Sequence, residues 1–101
     1  MTRVEIGRQA DADIGELLER LRESAGMRVT DKYASDLQSI FDRLSMFPAI
    51  GSPRSELGRH ARIAVLSPYI VIYDYVANAD HVTIVRVIDG RRNITRRLVR
   101  E

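Results

Sequence analysis

A stretch dense in apolar positions runs from Ser67 to Gly90, and it divides into two segments of strand-like composition. Tyr69–Val76 and His81–Ile88 are rich in β-branched and aromatic residues, which favour strands. The four residues between them, Ala77–Asp80, have the composition of a turn. The pattern predicts a long β-hairpin around which the rest of the chain is organised.

Both faces of this hairpin are apolar, whereas a half-buried strand normally carries polar residues on the face that meets water. In the first strand, strict alternation puts Ile70, Ile72, Asp74 and Val76 on one face and Tyr69, Val71, Tyr73 and Tyr75 on the other. In the second strand it puts Val82, Ile84, Arg86 and Ile88 on one face and Thr83, Val85 and Val87 on the other. Helices of so short a chain can cover one side. Two explanations stay open for the other side: it binds a partner, or the C-terminal tail folds back over it.

Two stretches of helical periodicity precede the hairpin, and they predict an antiparallel αα-hairpin. Gly26 follows the first and Pro48 the second, and both residue types end helices. The first helix is predicted over Ala10–Ala25, with Asp11 or Asp13 capping its first amides. The apolar stripes are Ile14, Leu17, Leu18 and Leu21 in the first helix and Val29, Tyr33, Leu37, Ile40, Phe41, Leu44 and Phe47 in the second.

The remaining segments complete a single domain, residues 1–101. Thr2–Gly7 alternates like a short edge strand, and Ala61–Leu66 like a strand that pairs antiparallel with the hairpin. Pro48–His60 is predicted to be irregular, and the tail either forms a helical turn over Ile94–Val99, capped by Asn93, or is disordered. The order β-α-α-β-β-β predicts an α+β fold, an αα-hairpin packed on a mainly antiparallel four-stranded sheet.

The composition excludes several classes of site. The chain has no cysteine, so it holds neither a disulfide nor a thiolate metal site, and its two histidines are too few for the usual zinc cluster. No apolar run is long enough to span a membrane, and the charged N-terminus has no signal-peptide core. We expect a cytoplasmic protein with no metal, no cofactor and no membrane partner.

Charge is unevenly distributed along the chain, although the net charge is only +2. Residues 1–53 carry seven basic and nine acidic side chains, whereas residues 54–101 carry nine arginines and five acidic side chains. Lys32 is the only lysine among 16 basic residues, and arginine suits bidentate contact with phosphate or carboxylate groups. A GC-rich genome also enriches arginine, but it does not account for the segregation.

An ordered set of residues runs from the second predicted helix to the tail. It consists of Ala34, Leu37, Ile40, Phe41, Leu44, Pro48, Gly51, Arg54, Leu57, Arg62, Pro68, Tyr69–Tyr73, Val85–Ile88 and Gly90–Arg92. This set resembles the RelE/ParE superfamily of type II toxin-antitoxin toxins. The resemblance implies an αα-hairpin on a curved, mainly antiparallel sheet, and a protein held inactive by a cognate antitoxin.

Members of this superfamily act on one of two targets: RelE-like toxins cut messenger RNA in the ribosome, and ParE-like toxins poison DNA gyrase. Cutting RNA needs a base, an acid and cations that hold the phosphate. Arg62 and Arg86 lie in elements suited to clamp a phosphate, Arg54 and Arg59 can assist, and His60 is the candidate acid or base. The chain lacks the His or Tyr that RelE-like nucleases commonly carry just after the last strand.

The resemblance therefore favours a ParE-like gyrase inhibitor that binds its target rather than an enzyme. The alternatives are a ribosome-dependent mRNA endoribonuclease and a family member that only binds its antitoxin. Candidate target-binding residues are Arg54, Arg59, Arg62, Arg86, Arg91, Arg92, Arg96 and Arg97, and candidate antitoxin-binding residues are Tyr69, Val71, Tyr73, Tyr75, Leu18 and Leu21. The structural alternatives are ion pairs of Arg62 and Arg86 with Asp74 or Asp89, and a solvated basic tail.

Overall fold

The computed structural model describes residues 1–101, and it confirms the α+β class with one strand more than predicted. The fold combines a long kinked helix, a five-stranded sheet and a short C-terminal helix. In chain order the elements are β1 (Arg3–Ile6), α1 (Arg8–Met46), β2 (Ser52–Pro53), β3 (Ala61–Leu66), β4 (Tyr69–Val76), β5 (His81–Asp89) and α2 (Arg96–Arg100), with single 3-10 turns at Ser55–Leu57 and Ala77–Ala79.

The predicted break between the two helical stripes is present as a kink within α1. Gly26 lies there with φ 83° and ψ 176°, outside the helical region. A straight helix of 39 residues would be about 58 Å long, but the longest dimension of the molecule is 41 Å. The two arms therefore fold back on each other, and Leu17 of the first arm and Leu37 of the second arm are buried in the same core.

The start of α1 differs from the prediction. The helix begins at Arg8, two residues before the predicted Ala10, and its N-cap is Gly7, which offers no side-chain hydrogen bond. Asp11 lies in the first turn, where its charge favours the helix dipole, but it is not the cap. Asp13 is not the cap either, because its carboxylate binds Arg86 and the backbone N–H of Val87.

The sheet is mixed, with the strand order β1-β5-β4-β3-β2. β1 is an edge strand, as predicted, and it runs parallel to β5, while the other pairs are antiparallel. The extra strand is β2, a two-residue segment that pairs Ser52 with Ile63 and Pro53 with Arg62. It lies inside the segment predicted to be irregular, where the proline-rich sequence gives no strand pattern.

A bulge in β5 breaks the predicted alternation. Tyr73 of β4 pairs with Ile84, and its neighbour Ile72 pairs with Arg86, so Val85 is an extra residue in the ladder. The bulge moves Val87, instead of Arg86, to the face that α1 covers. Arg86 is opposite Ile72 and belongs to the other face.

Each face of the sheet carries its own core. The inner core lies under α1 and includes Ala10, Leu17, Leu37, Phe41, Leu44, Val71, Tyr73, Val82, Ile84 and Val87. The outer core lies on the opposite face and consists of Leu57, Ala61, Ile72, Ile88 and Val99, with Ile94 and Leu98 packed against it. The C-terminal tail therefore folds over the second face of the hairpin, which is one of the two explanations that the sequence left open.

The tail forms a helix slightly later than predicted. α2 spans Arg96–Arg100, and its N-cap is Thr95, whose hydroxyl accepts a hydrogen bond from the N–H of Leu98 at 3.2 Å. Asn93 is therefore not the cap. A Thr cap fits the same preference for short hydroxyl side chains, but it shifts the helix by two residues towards the C-terminus.

Candidate functional site

Arg86, one of the two arginines predicted to clamp a phosphate, is bound within the protein. Its Nε and Nη2 donate to the Asp13 carboxylate at 2.7 and 3.0 Å, and its Nη1 donates to the Leu98 carbonyl at 2.6 Å. The side chains of Arg86 and Asp13 are only 13% and 12% exposed. The hydrogen bonds that Arg86 donates to the Asp13 carboxylate raise the pKa of Arg86 above its usual value. The ion pair foreseen as a structural alternative exists, but its acid is Asp13 and not Asp74 or Asp89.

Arg62, the second predicted clamp residue, holds the loop that follows α1. Its Nη1 donates to the carbonyls of Ala49 and Gly51 at 3.0 and 2.7 Å. Arg62 pairs across the ladder with Tyr73 of the inner core, whereas Arg86 is opposite Ile72 of the outer core. The register therefore directs the two guanidinium groups to opposite faces, and the structure does not bring them together.

The two acids proposed as partners for those arginines bind other arginines instead. Asp74 forms a bidentate pair with Arg100, with both N–O distances at 2.8 Å. Asp89 accepts hydrogen bonds from the side chain and the backbone N–H of Arg91, and these bonds hold the pKa of Asp89 well below its usual range. The Asp74–Arg100 pair ties α2 to β4, whereas the Asp89–Arg91 pair is local to the end of β5.

The remaining predicted target-binding arginines lie on the surface, and most carry few internal contacts. Arg92 and Arg96 are exposed and form no ion pair in the structure, and Arg59 is likewise exposed and unpaired. The Arg97 side chain is 84% exposed and meets only the Glu101 carboxylate, at 3.2 Å. Arg54 donates to the Pro53 carbonyl at 3.0 Å. The tail thus presents Arg92, Arg96 and Arg97 to solvent.

His60 lies in an open cleft at one end of the sheet. The cleft has a volume of about 500 Å³, and Arg59, Arg62 and Tyr75 also line it. The other histidine, His81, lies next to Glu5, with Nε2 3.1 Å from the Glu5 carboxylate. No three His, Asp or Glu side chains are close enough together to hold a metal ion. No helix is both long and apolar enough to cross a membrane.

The residues predicted to bind an antitoxin separate into buried and accessible groups. Val71 and Tyr73 are completely buried beneath α1, so their side chains offer no surface to a partner. Tyr73 also has an internal role, because its hydroxyl donates to the Pro48 carbonyl and accepts from the Gly51 N–H, both at 2.8 Å. The partly exposed members are Tyr69, Tyr75, Leu18 and Leu21.

Sequence reasoning missed an apolar groove at the β3 edge of the sheet. Its volume is about 260 Å³, and its apolar lining includes Ile40, Leu44, Ile50, Ile63 and Val65. We call this the edge groove. Ile50 and Val65 are 56% and 66% exposed, and together with the groove lining they form a contiguous apolar patch, which marks a candidate interaction site.

The backbone beside the edge groove is also free. β2 pairs with β3 only at Arg62 and Ile63, so Ala64–Leu66 has no strand on that side. Exposed apolar residues at Met46 and Phe47 extend the surface along the end of α1. No sequence signal identified this site, because an exposed Val in a strand has the same pattern as a buried one.

Comparisons with known proteins identify the family and agree with the fold. A family model described as the ParE toxin of the type II toxin-antitoxin system parDE matches residues 4–94. The chain is 33% identical over 98 residues to Toxin ParE3 of Caulobacter vibrioides, covering 97% of this chain and 96% of that protein. A solved structure described as a chromosomal ParDE TA system from P. aeruginosa has a similar fold, with a TM-score of 0.72 at 18% identity over 88% of this chain and 96% of that one. The chain therefore belongs to the ParE family of type II toxin-antitoxin toxins.

Proposed function

We propose that the target of this toxin is DNA gyrase and that the toxin acts by binding. One observation carries the choice: both guanidinium groups that an RNA-cutting site needs, Arg62 and Arg86, are bound to other groups of the protein. Breaking the Arg86–Asp13 pair to reach a phosphate would leave an uncompensated buried carboxylate, which is costly. Binding requires no such rearrangement.

The arginines of the tail are the groups best suited to the target. Arg92, Arg96 and Arg97 are exposed within a span of six residues. Arginine binds carboxylate or phosphate in a bidentate manner, so this segment fits an acidic protein surface or the DNA that gyrase holds. Arg54 and Arg59, in and after the loop that follows α1, extend the candidate surface.

The antitoxin, in this proposal, covers the edge groove. The free backbone of Ala64–Leu66 accepts an added strand, and the groove beside it accepts the apolar side chains of that strand. Tyr69, Tyr75, Leu18 and Leu21 remain candidates for further contacts. Both partners meet the toxin in the cytoplasm, where the chromosome and its gyrase are.

The test adds purified toxin to two assays, supercoiling by gyrase and mRNA cleavage on ribosomes. We expect inhibition of supercoiling, no new mRNA fragments, and a steep loss of inhibition as salt increases if DNA phosphates are contacted. Arg92→Ala with Arg96→Ala should weaken inhibition by about tenfold or more. The matched control is Arg22→Ala with Arg28→Ala, two exposed arginines of α1, of which Arg22 pairs only with Glu19 at the surface. Equal effects of both changes would contradict a specific role for the tail.

A second experiment tests the antitoxin surface. Val65→Lys places a charge in the edge groove and should weaken antitoxin binding by about tenfold or more, while gyrase inhibition is kept. Met27→Lys is the control, because Met27 is 52% exposed but lies at the kink of α1. Unchanged antitoxin affinity in the Val65 variant would remove the groove from the interface.

The endoribonuclease is retained as the second candidate because of the cleft around His60. That cleft brings an imidazole close to Arg59 and Arg62. If the ribosome assay shows cleavage, His60→Ala should reduce it at least tenfold, as expected for loss of a general acid or base. Cleavage that survives this change would exclude His60 from the chemistry.

A further inference from the structure

The C-terminal helix α2 is too short to hold its own position. It has five residues, whereas isolated helices shorter than about 12 residues are marginal in water. The location of the exposed arginines next to it therefore depends on contacts between the tail and the rest of the protein. Arg96 and Arg97 have fixed positions only while α2 stays on the sheet, whereas Arg92 lies in the turn after β5, where its N–H donates to the Asp89 carbonyl at 3.2 Å.

Arg100 makes the densest of these contacts. Its Nη1 and Nη2 donate to the two Asp74 oxygens at 2.8 Å each, and its Nε donates to the Leu57 carbonyl at 2.9 Å. A Cβ on Gly58 would overlap the Arg100 guanidinium, so glycine leaves the space that this group occupies. We call Arg100, Asp74, Leu57 and Gly58 the Arg100 anchor.

Three further contacts hold the same segment. Arg86 donates to the Leu98 carbonyl at 2.6 Å, which satisfies one of the free carbonyls at the end of a helix. The Gln9 amide donates to the Glu101 carbonyl at 2.6 Å. The Val99 side chain is fully buried in the outer core.

The arginines of the tail therefore fall into two classes. Arg100, whose side chain is 30% exposed, uses its donors on Asp74 and Leu57, whereas Arg92 and Arg96 are exposed and bind no carboxylate. Asp74 and Gly58 have no part in the proposed binding of the target, although they form a specific binding site for the Arg100 guanidinium. Helix α2 connects this binding site to the exposed arginines, because Arg96, Arg97 and Arg100 all lie in it.

We propose that the Arg100 anchor is a positioning device that fixes α2 on the sheet, so that the exposed arginines reach the target as a preorganised group. Asp74 and Gly58 are then positioning residues for toxicity, although neither touches the target. This inference rests on the proposed binding function of the tail. A tail that must be ordered during binding spends part of its interaction energy on that ordering, which lowers affinity.

The experiment compares Asp74→Asn and Arg100→Gln with the wild-type chain in four measurements: hydrogen exchange of the α2 amides, gyrase inhibition, antitoxin affinity and growth arrest on induction. We expect exchange of the Leu98–Arg100 amides to become at least tenfold faster and inhibition to weaken about tenfold, with antitoxin affinity changed less than twofold. Asp74→Glu keeps a carboxylate and should retain inhibition within about threefold. Asp31→Asn is the charge control, because Asp31 is exposed on α1 and its side chain forms no hydrogen bond or ion pair.

The outcomes separate the two proposals. A tail that exchanges faster while inhibition and growth arrest stay at wild-type levels would overturn the positioning role, as would exchange unchanged by either substitution. If the wild-type toxin stops growth without affecting gyrase, the proposed target is wrong, and growth arrest by the variants still tests the anchor. Gly58→Ala offers an additional check that removes no charge: its Cβ would displace the Arg100 guanidinium, and its φ of 156° would also strain the backbone beside it.

Discussion

At the scale of single residues, Tyr73 connects the sheet to the loop after α1. It is fully buried, and its hydroxyl bonds both the Pro48 carbonyl and the Gly51 N–H. Tyr73→Phe leaves these two backbone groups without their partner, so the free energy of unfolding should fall by about 1 to 3 kcal/mol. Tyr75→Phe should change it by less than about 0.5 kcal/mol, because the Tyr75 hydroxyl has no partner in the protein. Urea denaturation of both variants measures the difference.

The same hydroxyl gives a pH dependence with a defined sign. Burial raises the pKa of Tyr73 above its usual value, which is about 10. A group whose pKa is raised on folding stabilises the native state below its unfolded pKa and loses that contribution as pH rises through the folded value. The stability gap between wild type and Tyr73→Phe should therefore be constant from about pH 6 to 9 and shrink above about pH 10. A gap that widened above pH 10 would contradict the burial argument.

Asp13 shows where the prediction of single residues from sequence fails. Its position near the start of a helix suggests a cap, but the carboxylate is bound by Arg86, 73 residues away in sequence. Nothing local encodes that pairing. Asp13→Ala should lower the free energy of unfolding by about 3 kcal/mol, because Arg86 stays buried without its counter-charge. Asp11→Ala, which removes only a surface charge in the first turn, should cost less than about 1 kcal/mol.

At the scale of elements, two glycines of α1 have opposite roles. Gly26 has φ 83°, which a side chain disfavours, and nothing lies within 4 Å of the position where its Cβ would be. Gly26→Ala should therefore destabilise the protein by about 1 to 2 kcal/mol through the backbone alone. Gly15 has equal space but helical geometry, so Gly15→Ala should stabilise it by about 0.5 to 1 kcal/mol. Thermal unfolding of the pair gives both signs, and two shifts in the same direction would contradict the assignment of the kink.

The secondary-structure elements also show which structural features can be predicted from sequence periodicity. The alternation of β4 was predicted correctly, and most residues of the predicted stripes of α1 pack in the inner core, because each pattern follows one local period. Phe47, predicted as the last stripe residue, is instead 59% exposed, because α1 ends at Met46. The alternation of β5 fails after Ile84, because the bulge at Val85 shifts the register and has no signature in the residues themselves. That shift changes the face of Arg86, and it explains why the predicted phosphate clamp with Arg62 does not assemble.

At the scale of the whole molecule, the sequence correctly indicated a hairpin that needs cover on both faces. It could not decide whether the tail or a partner supplies the second cover. The apolar residues of the tail, Ile94, Leu98 and Val99, are interspersed with Arg96, Arg97 and Arg100, and their direction depends on the distant pair of Arg100 and Asp74. In the structure the tail covers the outer face, and the edge groove stays open.

The two cores differ in size, and we predict that they differ in stability. Ten buried residues form the inner core, whereas five form the outer core, one of which belongs to the five-residue helix α2. Leu44→Ala removes inner-core packing and should lower the global free energy of unfolding by about 2 to 5 kcal/mol. Every slowly exchanging amide should then lose protection to a similar degree.

Val99→Ala removes two buried methyl groups from the outer core, a loss of about 2 kcal/mol of local packing. Because α2 can open while β4 and β5 remain under α1, this loss should appear as faster hydrogen exchange in α2 and in the turn at Ser55–Leu57. The β4 and β5 amides should keep their protection, since the inner core still covers their other face. If Val99→Ala instead lowers the protection of β4 and β5 as much as that of α2, the two cores open together. The tail and the sheet then form one cooperative unit, and α2 does not open on its own.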